Sequence, residues 1–480
     1  MKSNKKLNKY DLVIVGGGSA GLAAARFAVT LGKKVALIEK EHLGGTCTWT
    51  GCIPSKTLIR IAQIAHSVKH LEHYGLRCVH DIHLDTSFIM AHVQKIIQEI
   101  YATQEPGELK KAGIDLFKGN AFFINAHEIL VGTTKLYTKK IIIATGTEPF
   151  VPSIEGLDQV DYLTNSTIFN LKELPQSLII LGAGPIGIEM ASALNRLGVK
   201  VTVIEMASRI LSKEDPELTE LLTKKIESEG VTILTAHTAL KVSKESNGIM
   251  VTSKNHAPGF TTSKAQALLV AVGRKPVLSG FGLENTGVKI TPRNIPVSAT
   301  MQTNIPHIYA CGDIVGPYQF NHIAEYQAII AARNALMPLF KKKVDYNQRI
   351  WVTFTEPELA SAGLSEQEAR AQYGDSIKIY RYDYKNIDRA KTDVHLVGLA
   401  KVICDKKGYI LGAHILGTRA GELIHEVQLG RLYSIKFSRF YSIIHAYPTY
   451  SEVIWKAAKK AHQDDLQANK LLKLIRWFKK

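Results

Sequence analysis

Residues 10–40 read YDLVIVGGGSAGLAAARFAVTLGKKVALIEK, an apolar strand, a glycine-rich turn, a helix of small residues and a second apolar strand. Gly16, Gly18 and Gly21 have the spacing GxGxxG, which permits a tight turn, close approach of a pyrophosphate and close packing of helix on strand. Glu39 ends the second strand, where a carboxylate can accept the hydroxyls of an adenosine ribose. This stretch therefore predicts a Rossmann-like dinucleotide site near the start of the chain.

A second stretch repeats this pattern. Residues 177–205 read SLIILGAGPIGIEMASALNRLGVKVTVIE, with Gly182, Gly184 and Gly187 in the turn and Glu205 at the end of the second strand. The first glycine and the final glutamate are 23 positions apart in both stretches. Two units with the same spacing predict two dinucleotide sites, whereas a lone glycine-rich turn would be weak support for one.

The carboxylate of the second unit also bears on the choice of nucleotide. A 2′-phosphate on the adenosine would lie beside the residue that ends the second strand, where basic side chains would attract it and a carboxylate repels it. Glu205 therefore favours NAD(H) over NADP(H). Arg209 follows four residues later, so the preference is not expected to be absolute.

Residues 44–56 read GGTCTWTGCIPSK and hold two of the five cysteines in the chain. A structural disulfide between Cys47 and Cys52 would close a very short loop, and such loops gain least from cross-linking. A zinc site would need further ligands, and no CxxC or matching Cys/His cluster accompanies the pair, so we predict no metal site. A redox role is favoured over these alternatives and over two merely buried thiols, but it requires an electron source.

Composition limits the class of protein. The chain has 480 residues, 45% hydrophobic and 21% charged, which is typical of a soluble globular protein with three or four domains. Five cysteines in this length exclude a secreted disulfide framework. The basic start is followed by an apolar run that contains Asp11 and Arg26 and lacks a clean cleavage site, and no long uncharged apolar stretch occurs. We therefore predict a cytoplasmic protein.

An ordered series of motifs resembles the class I pyridine nucleotide–disulfide oxidoreductases, homodimeric FAD enzymes that include dihydrolipoamide dehydrogenase, glutathione reductase and mercuric reductase. The motifs are GGGSAG, GGTCTWTGCIPSK, IIIATGTEP, GAGPIGIE, VAVGRKP, IYACGDIVG and HAYPTYSE. The resemblance implies an α/β fold with two Rossmann-like dinucleotide-binding domains, for FAD and NAD, and a C-terminal α+β dimerisation domain. The expected domains are FAD-binding at 1–150, NAD-binding at 151–275, a central domain returning to FAD at 276–346, and dimerisation with a basic tail helix at 347–480.

The resemblance also implies site residues. In this family Lys56 and Glu189 would form an ion pair beside the flavin N5 edge. Asp313 would bond the flavin ribityl chain, next to a helix that starts near His322. The remaining FAD residues would be Gly16, Gly18, Gly21, Glu39, Gly45, Thr46, Thr145 and Gly146, and the NAD(H) residues would be Gly182, Gly184, Gly187, Glu205 and Gly273.

By the same resemblance, the two cysteines form a redox-active disulfide over the flavin. Cys52 would be the flavin-proximal sulfur and Cys47 the outer sulfur, which exchanges with substrate. Pro54 suits the first turn of a helix, and a helix N-terminus and Lys56 would both favour the Cys52 thiolate. Electrons would pass from NADH to FAD, then to Cys47–Cys52 and then to an acceptor. The other cysteines, Cys78, Cys311 and Cys404, are expected to be packing residues.

The C-terminal motif departs from two members of the family. Dihydrolipoamide dehydrogenase and glutathione reductase have histidine before the proline, paired with a glutamate five residues later. This chain has Tyr447 before Pro448, followed by Glu452. The reference pKa values of tyrosine and histidine differ by an amount equivalent to roughly 5 kcal/mol, so tyrosine is a poor base at neutral pH. His445 faces the same way in an extended segment but is displaced by roughly 6–7 Å, and weak dithiol chemistry is expected.

The resemblance therefore favours a mercuric reductase-like enzyme, since mercuric reductase also has tyrosine before the proline. The chain ends in LLKLIRWFKK and lacks the C-terminal cysteine pair of that enzyme. We predict an FAD-dependent NADH oxidoreductase, a homodimer with active sites shared across subunits, whose small-molecule or metal-ion acceptor is unidentified. The alternatives are a dihydrolipoamide dehydrogenase, an NADH:quinone oxidoreductase, and a basic nucleotide-binding protein with affinity for nucleic acid.

Basic ends account for much of the formal net charge of +17. No motif of basic residues interleaved with aromatics supports nucleic-acid binding, so no nucleic-acid partner is predicted. The tail segment DDLQANKLLKLIRWFKK places Leu471, Leu474, Ile475 and Phe478 at helical spacing among lysines and an arginine. This pattern is typical of a helix that packs on the dimerisation domain, which we favour, and the alternative is a helix in peripheral contact with an anionic membrane surface.

Overall fold

The computed structural model describes residues 8–77, 83–255 and 257–469. The first glycine turn belongs to a parallel sheet whose strands lie in the spatial order Ile308–Ala310, Ile141–Ile143, Leu12–Val15, Val35–Glu39 and Ile114–Lys118. The middle strands are almost entirely apolar and buried, as expected for a parallel sheet covered on both faces. Because one edge strand begins at residue 308, the chain returns to its first sheet after the second glycine turn.

Two alanine-rich helices, Ser19–Thr30 and Asn321–Leu336, pack on this sheet and against each other. Their contact is made by small buried residues, which let the two backbones approach closely. A second sheet in this part of the molecule has the strand order Asn8–Tyr10, Thr134–Thr138, Glu128–Val131 and Ala121–Asn125. Between the first strand of this sheet and its other three, the sequence forms four further helices: Gly45–Trp49, Cys52–Lys69, Thr86–Ala102 and Pro106–Lys111.

The second glycine turn belongs to another parallel sheet, with helices Pro185–Arg196 and Pro216–Ser228. Its strands lie in the order Thr232–Leu234, Lys200–Ile204, Ser177–Leu181 and Ala267–Val270. An antiparallel sheet of Thr238–Glu245, Gly248–Lys254 and Thr261–Ala265 is inserted in the sequence before the last of these strands. A short ribbon pairs Arg274–Pro276 with Thr147–Pro149 and so connects this unit with the first one.

The C-terminal part is an antiparallel sheet covered by helices. Its strands lie in the order Ile350–Thr353, Glu358–Gly363, Ile410–Gly417, Leu399–Cys404 and Lys378–Asp383. Its helices are Glu366–Tyr373, Asp388–Thr392, Ala420–Leu432 and Glu452–Ala468. The predicted α/β class, with two Rossmann-like units and a C-terminal α+β domain, is confirmed.

Two predictions concern residues outside the described ranges: the apolar positions of the basic tail segment, Leu471, Leu474, Ile475 and Phe478, and the packing role of Cys78. Cys311 and Cys404 are both fully buried, and burial raises their pKa values, as expected of packing residues. A search of the described helices finds none with the length and apolar character needed to cross a bilayer.

Candidate active site

The two glycine turns have the same internal construction. A Cβ atom at Gly16, which has a φ of +108°, would lie 2.3 Å from the carbonyl oxygen of Ala144, and one at Gly21 would lie 1.8 Å from the carbonyl oxygen of Gly16. Gly182 and Gly187 face equally close backbone atoms in the second unit. By contrast, Gly184 has no neighbouring atom within 4 Å, and Gly18 has only one, at 3.9 Å. The first and third glycines of each turn thus allow close packing of the backbone, and the second glycine leaves space for a ligand at the N-terminus of a helix.

The glutamate that ends the second strand is held in the same way in both units. Glu39 accepts one hydrogen bond of 2.7 Å from the N–H of Gly17 and another of 2.7 Å from the N–H of Glu41. Glu205 accepts from Ala183 at 2.6 Å and from the residue two positions after it at 2.7 Å. Each carboxylate oxygen retains a lone pair, so both side chains are oriented to accept ribose hydroxyls.

Arg209 is occupied by its own loop. Its guanidinium donates to carbonyl oxygens of residues 211, 212 and 214 and to the hydroxyl of Thr219. Binding a 2′-phosphate would require breaking several of these bonds. Arg209, because of which the predicted preference for NAD(H) was not absolute, is therefore held by hydrogen bonds within its own loop.

The glycine pair before the cysteines brings two loops into contact. The N–H of Gly44 donates to the carbonyl oxygen of Gly17 at 2.9 Å. A Cβ atom at Gly45 would lie 2.9 Å from the Cα of Gly18. The cysteine loop thus packs directly on the first glycine turn, and residues with side chains at these positions would separate the two.

Cys47 lies on the short helix Gly45–Trp49, and Cys52 begins the helix Cys52–Lys69. Both are free thiols in this structure. A hydrogen bond from Cys47 lowers the pKa of Cys52 to about 7 despite burial, and the charge of Lys56 contributes to the same effect. The hydrogen bond with Cys52 and burial raise the pKa of Cys47. Cys52 is therefore the sulfur that holds the negative charge.

Lys56 and Glu189 form an ion pair between two helices. The Lys56 Nζ atom lies 2.8 Å from Glu189 Oε2, and the Glu189 side chain is only 6% exposed. The other carboxylate oxygen accepts the N–H of Phe354 at 2.8 Å, and Lys56 Nζ lies 4.6 Å from the centroid of the Phe354 ring. The pair therefore ties the cysteine helix to the second glycine-turn helix and to the C-terminal part of the chain.

Arg274 was missed by the sequence analysis. Its guanidinium donates to the hydroxyl and the carbonyl oxygen of Thr147, both at 2.7 Å, to Asn165 Oδ1 at 3.1 Å and to the hydroxyl of Thr46 at 3.2 Å. Asn165 in turn donates to the carbonyl oxygen of Thr50 at 3.1 Å. Arg274 thus holds the cysteine loop directly through Thr46 and, by way of Asn165, indirectly through Thr50. The available signal was the arginine that directly follows Gly273 in VAVGRKP.

The other predicted FAD residues lie around the connection between the units. The Thr145 hydroxyl donates to the carbonyl oxygen of Val277 at 3.0 Å, and the carbonyl oxygen of Gly146 accepts the Val277 N–H at 3.1 Å. Asp313 is buried, which raises its pKa, and it accepts the Thr147 hydroxyl at 3.2 Å. A second partner for this carboxylate, such as a ligand hydroxyl, would satisfy its remaining acceptor sites.

A cavity of about 2850 Å³ runs past all of these groups. Ordinary small-ligand sites measure about 300–1,000 Å³, so this cavity has room for two dinucleotides. The predicted site residues that line it are Gly16, Gly18, Glu39, Gly45, Thr46, Cys47, Cys52, Lys56, Thr145, Gly146, Gly182, Gly184, Glu189, Glu205, Gly273 and Asp313. Gly21 and Gly187 lie behind its wall, where they pack helix on strand.

Cys47 also lines a second cavity, of about 460 Å³, which the sequence analysis did not anticipate. The Ser19 hydroxyl bonds Cys47, and the charge of Glu325 acts on the thiol. Asn321 donates to Glu325 Oε1 at 2.8 Å, while its own Oδ1 atom and Gln104 Oε1 are buried without hydrogen-bond partners. The outer sulfur therefore faces a small, mostly apolar cavity whose few polar lining groups include Glu325, Arg26 and two buried amide side chains.

The C-terminal motif pairs differently from the histidine–glutamate pair of the related dithiol enzymes. Tyr447, which is 73% exposed, donates to Asp388 Oδ2 at 3.1 Å and does not pair with Glu452. The reason is that Asp388, at the start of a short helix, offers the phenol an exposed carboxylate. Glu452 instead pairs with Lys456 at 3.3 Å, and its Oε2 atom is buried without a hydrogen-bond partner.

His445 has a carboxylate partner that the sequence did not reveal. Its Nε2 atom lies 2.9 Å from Glu426 Oε1, and its Nδ1 atom lies 3.1 Å from the carbonyl oxygen of Ile443. Neither His445 nor Tyr447 lines the two cavities beside Cys47 in the described single chain.

Comparisons with known proteins agree with this geometry. Residues 10–334 match the family model described as pyridine nucleotide-disulphide oxidoreductase, and residues 350–458 match its dimerisation domain. The chain is 33% identical over 426 residues to a mercuric reductase of Bacillus cereus, covering 88% of this chain and 66% of that longer protein. It is 35% identical over 455 residues to a dihydrolipoyl dehydrogenase of Bacillus subtilis, covering 93% of this chain and 97% of the relative.

A solved structure has the same fold over nearly the whole chain. The Cu(II) complex of the HOCl-induced flavoprotein disulfide reductase RclA from Escherichia coli matches with a TM-score of 0.84 and 30% identity, over 94% of this chain and 99% of that one. Proteins of the matched family use FAD and NAD(P)H. The open glycine turns, the oriented carboxylates and the size of the large cavity fit these two groups. The chain therefore belongs to the class I pyridine nucleotide–disulfide oxidoreductases.

Proposed function

We propose that this protein is an FAD-dependent NADH oxidoreductase that reduces a thiophilic metal ion, such as Cu(II), at Cys47. The observation that carries the proposal is the small cavity on the far side of Cys47, whose lining holds this thiol, the Glu325 carboxylate and two amide side chains with unpaired oxygens. Bound FAD would supply the hydride-accepting ring that connects NADH with the cysteine pair. The overall balance is NADH and two Cu(II) giving NAD⁺, one proton and two Cu(I).

The ligand chemistry of the small cavity supports a metal-ion acceptor. Thiolate ligands favour Cu(I), the product of the reduction, and binding of a metal ion releases the proton from a thiol. Glu325 offers a carboxylate ligand in the same cavity as Cys47, and the buried Oδ1 atom of Asn321 would reach an ion there after rotation of its side chain. The negative charge of Glu325 raises the pKa of Cys47, which disfavours the thiolate when no cation is nearby. The same negative charge attracts a cation into the cavity.

The C-terminal motif argues against a dithiol or disulfide as the main acceptor. Oxidation of a dithiol requires a base that accepts protons near neutral pH. The hydrogen bond to Asp388 raises the pKa of Tyr447, which makes the phenol a weaker acid and keeps it protonated. Glu452 matches the carboxylate that orients the histidine in the related dithiol enzymes, and in this chain its Oε2 atom has no hydrogen-bond partner.

The comparisons also favour a metal ion. The E. coli neighbour was solved as a Cu(II) complex, and relatives include mercuric reductases. Delivery of the ion would use the cavity beside Cys47.

We further propose a homodimer with active sites shared across subunits. The matched dimerisation-domain model supports it, and so does a set of exposed apolar side chains in the C-terminal part. A monomeric soluble protein seldom exposes so many large apolar groups in one region. They are Leu429, Leu432, Tyr433, Ile435, Ile443 and Ile444.

Anaerobic kinetics with NADH test the proposed acceptor. We expect reduction of Cu(II), followed with a Cu(I) chelator, to exceed turnover with oxidised glutathione or a water-soluble quinone by about tenfold or more in kcat/KM. Cys47→Ser should abolish the Cu(II) reaction, and Glu325→Gln should raise KM for Cu(II). Glu99→Gln, an exposed glutamate on the helix Thr86–Ala102, serves as the control. Unchanged Cu(II) reduction in Cys47→Ser would overturn the proposal.

Dihydrolipoamide dehydrogenase is the second candidate, because His445 and Glu426 form an imidazole–carboxylate pair. Such a pair is the arrangement that a general base requires. If this activity is the physiological one, His445→Gln should lower turnover of dihydrolipoamide with NAD⁺ by about 10²-fold or more, which is the usual contribution of a general base. Turnover that is slow in the unmodified protein and unaffected by His445→Gln would exclude this candidate.

A further inference from the structure

We propose that His70, Glu72 and His73 form a second metal site, selective for a divalent ion of the late first transition series such as Zn(II), Ni(II) or Cu(II). The residues lie on the short 3₁₀ turn Leu71–Tyr74 and just before it. The Nδ1 atom of His70 lies 3.6 Å from Glu72 Oε1, and the Nε2 atom of His73 lies 3.9 Å from the same oxygen. All three ligand atoms lie within 4.8 Å of one another.

These distances are close to those of a tetrahedral site. With metal–ligand bonds of about 2.0–2.1 Å, the ligand atoms of a tetrahedral zinc site stand about 3.4 Å apart. The two measured separations exceed this by about 0.5 Å or less. All three side chains are about half exposed, so their torsions can adjust without disturbing packing.

The turn aligns the two imidazoles. In a 3₁₀ helix, residues three apart lie directly above each other. The rings of His70 and His73 are accordingly parallel within 7°, with centroids 5.4 Å apart. Because the nitrogen lone pairs lie in the ring planes, binding one ion requires one ring to rotate out of this stack, and both half-exposed side chains have space to do so. The ring of His66, one helical turn earlier, lies against that of His70 with a centroid distance of 4.5 Å. Two imidazoles and one carboxylate favour zinc, nickel or copper over magnesium or calcium.

The surroundings favour a cation. The cluster follows the C-terminus of the helix Cys52–Lys69, where the helix dipole stabilises positive charge. Lys69, the nearest fixed positive charge in sequence, donates to the carbonyl oxygen of Arg196 at 3.0 Å and is held by that contact. Water can fill the fourth position, because the three ligands lie at the surface.

The site is separate from the cysteine pair. Cys52 begins the helix that the cluster follows, and 18 helical residues span about 27 Å. An ion bound at His70 and His73 is therefore too far from Cys47 to be reduced there. The cluster is a binding site distinct from the proposed reaction, and its test does not depend on the acceptor.

Metal titration of the untagged FAD-loaded enzyme tests this proposal. The Cys47→Ser variant serves as background, since it removes the outer redox thiol. Calorimetry with Zn(II) and absorbance with Co(II) should give one equivalent of binding that weakens by about tenfold or more in His70→Ala and in His73→Ala. His92→Ala, an exposed histidine on the helix Thr86–Ala102, should bind like the background protein.

Two outcomes would overturn the proposal. One is binding of the same stoichiometry and affinity in a His70→Ala/His73→Ala double variant, which would place the ion elsewhere. The other is a fall in Cu(II) reduction when this double variant is made in the otherwise unmodified enzyme, because a site about 27 Å away along the helix should leave turnover unchanged. Failure of Cu(II) reduction itself would leave the Zn(II) and Co(II) titrations fully interpretable.

Discussion

Lys56 lies four residues after Cys52 on the same helix, and its Nζ atom lies 2.8 Å from the buried carboxylate of Glu189. The ion pair therefore holds a positive charge beside the sulfur that carries the negative charge. The same helix presents its N-terminus at Cys52. Both features stabilise a thiolate, which is the reactive form in thiol–disulfide exchange and in metal binding.

The first prediction concerns the acidity of Cys52. Its pKa is lowered to about 7, first by the hydrogen bond from Cys47 and then by Lys56, so the thiolate predominates above pH 7 and the thiol below it. Lys56→Gln should raise this pKa towards the usual value of about 8.5. The pH dependence of alkylation of the reduced enzyme measures the shift. Lys69→Gln, at the other end of the helix, should leave the midpoint unchanged, and an equal shift in both variants would contradict the explanation.

The second prediction concerns nucleotide choice. Glu205→Ala removes the carboxylate that repels a 2′-phosphate, so the ratio of kcat/KM for NADH to that for NADPH should fall by about tenfold, equivalent to roughly 1.4 kcal/mol. Arg209→Gln should leave the ratio unchanged, because the guanidinium already bonds its own loop. Steady-state kinetics with both nucleotides provide the measurement. A large change of the ratio in Arg209→Gln would show that this arginine reaches the nucleotide.

The third prediction concerns a buried ion pair that supports the second glycine-turn helix. Arg196 binds both carboxylate oxygens of Glu229 at 2.7 Å and also contacts Glu356. Arg196→Met leaves the buried Glu229 carboxylate with Lys225, at 2.9 Å, as its remaining lysine partner, and should cost about 3 kcal/mol of unfolding free energy, the lower end of the range for breaking a buried ion pair. Lys224→Met breaks an exposed pair with Glu220 and should cost less than about 1 kcal/mol. Denaturant unfolding compares the two variants.

This ion pair also predicts a pH dependence. Burial would raise the pKa of Glu229, but its bonds with Arg196 lower it to about 2, below the ordinary value of 4.5. Because the folded-state pKa is depressed, the stabilisation is fully present above pH 4.5 and is lost as the pH falls towards 2. The unmodified protein should therefore lose more stability than Arg196→Met over this interval. Parallel curves for the two proteins would assign the acid sensitivity to other groups.

The parts that the sequence predicted well are those defined by local backbone chemistry. Gly16 and Gly182 occupy turns whose neighbours leave no space for a side chain, and the helix with Pro54 in its first turn begins at Cys52. Residues brought together by the fold were missed. Arg274 reaches Thr46, 228 positions away, and a pattern based on glycine spacing contains no information about that contact.

Tertiary contacts also determine which side chains pair in the C-terminal motif. Tyr447 and Glu452 are close in sequence, yet Tyr447 bonds Asp388, which lies 59 positions earlier. The cluster of His70, Glu72 and His73 was overlooked for another reason. The cluster contains no cysteine and no typical zinc-ligand spacing, and its three side chains come together only because a 3₁₀ turn places them side by side.

The last prediction concerns Tyr447 and Glu452. Tyr447→His places an imidazole before Pro448 and within the spacing at which related dithiol enzymes pair histidine with glutamate. Glu452 Oε2 is buried and has no hydrogen-bond partner, so it can accept the N–H of the new ring and orient it. The variant should therefore turn over dihydrolipoamide with NAD⁺ faster than the unmodified protein by about 10²-fold, the usual contribution of a general base.

Tyr447→Phe provides the matched control, since it removes the phenol oxygen without adding a base. It should show the same weak dithiol turnover as the unmodified protein. The two variants also share the loss of the bond to Asp388, so any difference between them reports on the imidazole alone. Efficient dihydrolipoamide turnover by the unmodified protein, retained in Tyr447→Phe, would instead identify His445 and its partner Glu426 as the working base.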